Sequence, residues 1–568
     1  MSNTTGSTIN RLYSGFRGVD FRGDEINLVR SPDALNVWRN YRKTQSIETR
    51  PELSLQLGFT ETVYGIFFYK DMMLVHSGTK LYKVTNGNKT ELYTGLNEMA
   101  SQSFVFEDIW YFKDGKNYLQ YNGTKIGDVE GFIPTTSIGR KPNGGGGTIY
   151  QDVNMLSDYR INTFLGDGVY ASFGLDAVSI DPSFVPIVTV NGVEQTPYDE
   201  NTHKGDYITY YDTGNIIFFV PPPAPATAGQ DNVTIKFKCP VANHKDNILK
   251  CTLLQVFDNR VFFSGNPEKP NIVWHCSLSD PTYCSDLDYY KEGMDMAAVK
   301  GLVAGNNALW VFKEPNDANT TVFYHVPTLD EEYGKVYPSS HSSVTTGCVG
   351  KAINFNDDIV FFSDRGMEGI SGDVTTEQIV AHRSSLVDRK LTAEEGYKDM
   401  LLEEWDGYLI VFIGNRAYLA DSRAMYADEN HSEYEWFYFE FDKKITCSKV
   451  NDGVLYIGTE DGLYTLNGEA DVESYWTTPK DKFQHPHKLK TTNKRGCVAE
   501  ATGDVSVYAK VEDTDFELIG TYENVTDYFV SRIKRKKFKD IQLKFYSTTR
   551  FSLETVTLEC VVGGYIKR

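Results

Sequence analysis

A chain of 568 residues with a formal net charge of −20 is too long for one compact core and too acidic for general affinity to nucleic acid, which needs clustered Lys and Arg to displace counterions. No run approaches the roughly 18 apolar residues of a membrane helix, so no membrane insertion of its own is expected, and the opening MSNTTGSTINRLYSGF lacks the apolar stretch of a secretory leader. With 36 Tyr and 33 Phe, strand formers dominate and an almost all-β protein is predicted.

Residues 1–55 are basic in patches and poor in hairpins, and they read as an N-terminal extended arm. Within it, Ser31-Pro32-Asp33-Ala34 has the cap and first-turn residues of a short helix. Two strand pairs follow in 56–132, the first part of a repeating core, with hairpins starting at Met72 and Asp108. The glycine run in Lys141–Thr148 then breaks the rhythm and reads as a flexible hinge rather than a phosphate loop, because no strand-to-helix turn surrounds it.

Residues 133–246 change character. Asn191-Gly192 is a type I′ turn signal, Asp212-Thr213-Gly214 a second turn, and the Pro221–Gln230 stretch a solvated connection, which together predict an inserted β-sandwich or platform domain. The repeats resume in 247–483 with hairpins at Arg260, Ala308, Asp358 and Tyr408. The clearest copy is Val454–Ile457, a turn at Asp461-Gly462, then Leu463–Leu466. Residues 484–568 alternate differently and predict a C-terminal β-sandwich-like domain.

About seven hairpins at roughly 35–50-residue spacing is the interval of propeller blades. A lone hairpin is marginal in water and must bury its apolar face on neighbours. The fold predicted is therefore all-β: a β-propeller of six or seven blades interrupted by the inserted sandwich and followed by the C-terminal domain.

Chemistry is sparse. No phosphate-binding loop, nucleophile elbow, HExxH or EF-hand loop occurs, so catalytic, cofactor-binding and metal residues are all expected to be none. The eight cysteines include no CxxC pair and read as small buried hydrophobes, and His485-Pro486-His487 reads as an exposed loop. Glu403-Glu404 and Glu331-Glu332 read as solvated carboxylates. Ser363-Asp364-Arg365-Gly366 is the one approach to the repeated S-x-D-x-G-x-T-W turn of sialidase-like propellers, without its Thr-Trp. The basic run Lys534, Arg535, Lys536 and Lys537 reads as a solvated strand or turn, or as an interface with an acidic surface or DNA phosphate.

Three stretches carry a resemblance: FRGVDFRGDEINLVRSPDALNVWRNYR with the closing IETRP (Phe16–Pro51), RVFFSGNPEKPNIVW (Arg260–Trp274) with Ser279–Tyr283, and the insert's VNGVEQTP and YITYYDTGNIIFFVPPP. In these the chain resembles the tail hub or nozzle proteins of short-tailed bacteriophages, the packaged-DNA stabilisation family. The resemblance implies a virion tail component, assembled in the host bacterial cytoplasm as a homo-oligomeric ring of six copies. Its expected partners are the portal and adaptor ring proteins, tail fibre or needle proteins, and double-stranded DNA passing without sequence recognition. Arm residues Phe16, Arg17, Asp20, Asn36, Trp38 and Arg39, with the basic run above, are the expected interface. The alternative reading is a propeller module that binds cell-surface glycan through exposed aromatics, and a less favoured one is a propeller glycosidase with axial carboxylates.

Overall fold

The structure, a computed structural model, describes residues 8–565 apart from 24–26, 40, 42–45, 332–333, 372–373, 375–376, 428–431 and 535–536. Among the described residues the chain forms seven four-stranded antiparallel sheets, an inserted two-sheet domain and a C-terminal sheet domain. It is a β-propeller.

Blade 1 is built from Val63–Tyr69, Met72–Ser77, Lys80–Thr85 and Asn88–Thr94, and blade 2 from Gln102–Phe106, Ile109–Lys113, Tyr118–Tyr121 and Ile126–Asp128. Blade 3 uses Leu253–Phe257, Arg260–Ser264, Ile272–His275 and Tyr289–Lys291, and blade 4 uses Val299–Gly305, Ala308–Lys313, Val322–His325 and Ser339–His341. Blade 5 uses Ala352–Phe355, Asp358–Ser363, Gly366–Ser371 and Ile379–His382, and blade 6 uses Leu401–Trp405, Tyr408–Ile413, Arg416–Ala427 and Ser432–Glu440. Blade 7 has only three strands from its own stretch, Ile445–Asn451, Val454–Thr459 and Gly462–Gly468. Its fourth comes from the other end of the chain, Glu52–Gly58.

Each sequence hairpin falls on the second and third strands of a different blade. The second strands are largely apolar on both faces, as strands covered on both sides are. Ala308–Lys313, Tyr408–Ile413 and nearly all of Asp358–Ser363 are buried.

The first and second strands are joined by a repeated two-residue turn. Glu107-Asp108, Asp258-Asn259, Asn306-Asn307, Asn356-Asp357, Asp406-Gly407 and Asp452-Gly453 all have positive φ at both residues, the type I′ geometry that matches strand twist and favours Asn, Asp and Gly.

Contacts divide the chain into two compact units: Met1–Ala100, Trp310–Tyr324 and His341–Arg568 in one, and Ser101–Leu309 with His325–Ser340 in the other. In the first unit, Thr446 Oγ1 donates to the Val63 carbonyl (2.6 Å), tying the first strands of blades 7 and 1. In the second, Leu254 N donates to Gln102 Oε1 (2.8 Å), tying those of blades 3 and 2.

The insert is a sandwich. A six-stranded sheet runs in the order Gly146–Ile149, Thr135–Arg140, Tyr159–Phe164, Val233–Lys238, Ile187–Val190 and Val193–Glu194. The other sheet is Ser172–Gly174, Asn215–Phe218 and Tyr207–Tyr210. Phe164, Phe173, Val188, Ile216, Ile235 and Phe237 fill the space between them. The glycine run does not form a hinge: Gly146–Ile149 pairs as an edge strand with Thr135–Arg140.

The C-terminal domain is organised on the 24-residue strand Lys488–Val511, which pairs with both Ile541–Ser547 and Phe551–Tyr565. Four pieces of the first 55 residues join this sheet. Thr8–Ser14 pairs with Phe551–Tyr565, Ala34–Leu35 with Ser474–Thr477, and Ile47–Thr49 with both Val37–Arg39 and Phe551–Tyr565. The arm is thus not a free extension, and Ser31–Ala34 is not a helix start. Instead the Ser31 hydroxyl donates to the Thr477 carbonyl (2.7 Å), which holds the backbone extended between two short strands.

Candidate functional site

The residues expected at an intersubunit interface are brought together, but mostly in the protein's own interior. Phe16 is fully buried, edge-on to Trp476 at 5.2 Å. A Cβ at Gly18 would collide with the Trp436 carbonyl oxygen, so only glycine lets the segment lie against blade 6. The buried Asp20 carboxylate accepts two bonds from Arg22 (2.9 and 2.8 Å). Arg17 is half-exposed and reaches Glu435 at 3.4 Å, while Arg30 grips the same buried carboxylate through Nε and Nη2 (2.8 and 2.6 Å).

Asn36 has a left-handed backbone (φ 55°), and its side chain joins three segments. Oδ1 accepts from Arg50 Nε (2.9 Å) and Glu440 N (2.8 Å), and Nδ2 donates to the Glu473 carbonyl (2.9 Å). Arg50, 2% exposed, also donates to the Pro51 and Glu440 carbonyls, both at 2.8 Å, and lies over Phe441 at 4.4 Å. Burial lowers its guanidinium from the usual arginine range, against the opposing pull of Glu52. Trp38 stacks on Trp405 at 5.5 Å, and Arg39 covers Tyr41 at 5.0 Å while its carbonyl accepts from Tyr408. Phe16, Asp20, Asn36 and Trp38 therefore serve as an internal clasp, because each finds its partners on blade 6, the C-terminal domain or the clasp itself. Lys534 and Lys537 are exposed, whereas Arg535 and Lys536 lie outside the described residues.

Sequence spacing misses the strongest titratable groupings, since the fold rather than a motif assembles them. His382 stands between two carboxylates, Nε2 to Asp388 at 2.5 Å and Nδ1 to Glu368 at 3.1 Å, with Ser384 Oγ donating to Asp388 at 2.6 Å. Burial alone depresses this imidazole, but the bonds to Asp388 and Glu368 more than reverse that and raise it to about 10. With both ring nitrogens donating, it is a fixed cation and offers no lone pair for proton abstraction.

A pH dependence follows. The folded value lies above the unfolded 6.5, so the stabilisation is complete below pH 6.5 and is lost as pH rises towards 10. Raising pH from 7 to 9.5 is expected to lower unfolding stability by on the order of 2 kcal/mol through this group. His382→Gln should flatten that part of a urea-midpoint profile; an unchanged slope contradicts the assignment.

In the second unit His325 is fully buried, its Nε2 2.9 Å from Glu292 and its Nδ1 2.9 Å from the Tyr337 carbonyl, and Ser339 Oγ donates to Glu292 at 2.6 Å. Burial raises Asp288 to about 6. It precedes the outermost strand of blade 3, three strands and about 14 Å from the first strand. Glu403 is not solvated as its neighbour Glu404 is. It accepts from Val450 N (3.2 Å), which links the first strands of blades 6 and 7, and burial raises it above the usual carboxylate range. Among the described residues no group of three His, Cys, Asp or Glu could hold a metal ion, and all eight cysteines are free, seven of them buried.

No family model matches the chain, and no curated protein does. Solved structures similar in outline include BamB from Moraxella catarrhalis, at 8% identity and a TM-score of 0.33, covering 81% of this chain and 96% of that one. Kluyveromyces lactis Hsv2 aligns at 10% identity and a TM-score of 0.32 over 74% of this chain and 94% of its own. A structure titled as a glycoside hydrolase gives 7% and 0.22 over 89% and 100%. Likeness this distant carries no argument about activity.

Proposed function

We propose that the chain is a structural, non-enzymatic subunit of a bacteriophage tail hub or nozzle. In this reading six copies form a ring below the portal and adaptor, continue the DNA channel, retain and then release the genome, and anchor fibres or a needle. The observation that carries it is the saturation of buried charged and polar side chains by partners within the chain. Arg30 with Glu435, Asn36 with Arg50, and His382 with Asp388 and Glu368 join separate segments and leave no poised nucleophile or base among them. Rigid joints of this kind suit a framework that bears load, and the sequence resemblance supplies the tail context. The test is the particle itself. Two-dimensional averages of the purified full-length chain are expected to show rings with an open centre, and discrete 64.2 kDa particles at all concentrations would overturn the reading.

One observation favours a second reading, glycan binding. At one end of the insert Val169, Tyr170, Phe219 and Val220 are all more than half exposed, brought close by the Gly168 N to Pro222 carbonyl and Phe218 N to Ala171 carbonyl bonds. Exposed aromatic and apolar groups gathered this way suit stacking against sugar rings. Saturable retention on host wall material that Tyr170→Ala and Phe219→Ala abolish would establish it.

A further inference from the structure

The chain's charge is unevenly placed. Residues 484–568 carry 15 Lys and Arg against 11 Asp and Glu, whereas the rest carries 42 against 66. Six of the 15 lie within Phe529–Lys539. A cleft opens beside this run, with Val511, Ile519, Ile533 and Phe538 as its apolar lining and Arg532 and Lys534 among its polar walls. Glu517 is an acidic residue in the same lining. Leu518, also in the lining, is exposed, as are Tyr528 and Val530 just before the basic run in sequence. A monomer gains nothing from keeping such surface in water.

A complementary surface is present on the same chain. The type I′ turns between first and second strands place carboxylates at blade tips, because αL geometry selects Asp and Asn there. Asp357, Asp406 and Asp452 are exposed at the tips of blades 5, 6 and 7. Asp406 has one ion-pair neighbour, Arg423 at 3.8 Å, and Asp452 accepts a bond from Asn451.

We propose that the C-terminal cleft of one copy takes up the acidic blade-tip turns of a second copy. The contact joins different surfaces of identical chains, so it repeats head to tail and closes into a ring when the rotation permits. Its electrostatic part acts over a screening length of about 8 Å at physiological salt and therefore weakens as salt rises. This inference rests on the assembly reading above and adds the surfaces that would mediate it.

The test uses two variants of the full chain. One is Lys534→Glu with Lys537→Glu, and the other is Asp357→Lys, Asp406→Lys and Asp452→Lys. Lysine is tolerable at the first position of such a turn, that of Asp406 and Asp452, since Lys70 has φ 51° there in the blade 1 connection. Each variant alone is expected to self-associate at least tenfold more weakly than the parent chain in sedimentation at 50 mM salt, and mixing the two restores association. If either glutamate or lysine variant unfolds at a lower temperature than the parent, the glutamine and asparagine versions replace it, with a smaller expected loss.

Undiminished association of both variants, or no rescue on mixing, overturns the inference while leaving a ring intact. A parent chain that stays at 64.2 kDa at every concentration and salt overturns the assembly reading and this inference with it. Binding of a 20-base-pair duplex that Lys534→Glu with Lys537→Glu removes, with self-association unchanged, overturns it in favour of nucleic acid.

Discussion

Arg50→Ala is expected to lower unfolding stability by about 4 kcal/mol, because the guanidinium is the single donor set for three separate segments. Its loss takes a donor from the largely buried Glu440 and Pro51 carbonyls and leaves Asn36 Oδ1 with Glu440 N as its remaining donor. A buried acceptor stripped of its donor costs roughly 1–3 kcal/mol, and the cation–π contact with Phe441 goes as well. Arg50→Lys should recover less than half of the loss, since an ammonium cannot span the fork from Asn36 to Glu440. Urea midpoints of the parent chain and the two variants check this, and a midpoint for Arg50→Lys equal to that of the parent would show that the charge alone matters.

Glu435→Ala has a second large expected effect, about 3–5 kcal/mol, by another route. The carboxylate is fully buried and neutralises Arg30, whose side chain is 9% exposed. Removing it takes the neutralising carboxylate from a largely buried cation, and that cost exceeds the value of the pair itself. Glu435→Ala with Arg30→Met should therefore be more stable than Glu435→Ala alone. The exposed pair Lys125–Glu130, at 3.6 Å, provides the contrast, and Lys125→Ala is expected to leave the midpoint unchanged. If the double variant is no better than the single one, the loss comes from packing and not from the stranded charge.

Both positions lie in or against a segment that reads, from the residues alone, as an arm free to reach another ring. The blades are legible because strand alternation and turn residues are local: Val454–Leu466 and its counterparts each fall within one hairpin, and each lands in one blade. The insert's Asn191-Gly192 turn is legible for the same reason. Three things are not. The partners of Phe16, Asn36 and Arg50 are some 400 residues away in the sequence, and no local pattern announces a strand such as Glu52–Gly58 that completes the blade formed by Ile445–Gly468. The glycine run reads as a hinge because Gly favours freedom in isolation, whereas Gly144, Gly146 and Gly147 use positive φ to turn tightly into an edge strand. His382 meets Glu368 on the neighbouring strand of one blade and Asp388 at the start of the short helix that follows it, at spacings that match no ligand motif.

The Glu-Asp, Asp-Asn, Asn-Asn, Asn-Asp and Asp-Gly pairs that precede the second strands are a repeated left-handed turn that marks six of the seven blades and places the acidic tips in corresponding connections. The expected interface residues divide accordingly. Phe16, Asp20, Asn36 and Trp38 hold the chain to itself, while the exposed Lys534 and Lys537 stand beside a cleft with apolar walls.

The claim at the centre of this account is that the described segments within residues 8–58 are structural closure. Hydrogen–deuterium exchange of the isolated full-length chain tests it directly. The account predicts that the ladder-bonded amides of Val37–Arg39, Ile47–Thr49 and Glu52–Gly58 exchange as slowly as those of Gly462–Gly468, on the scale of hours. Exchange of these segments within seconds, while Gly462–Gly468 stays protected, would contradict it.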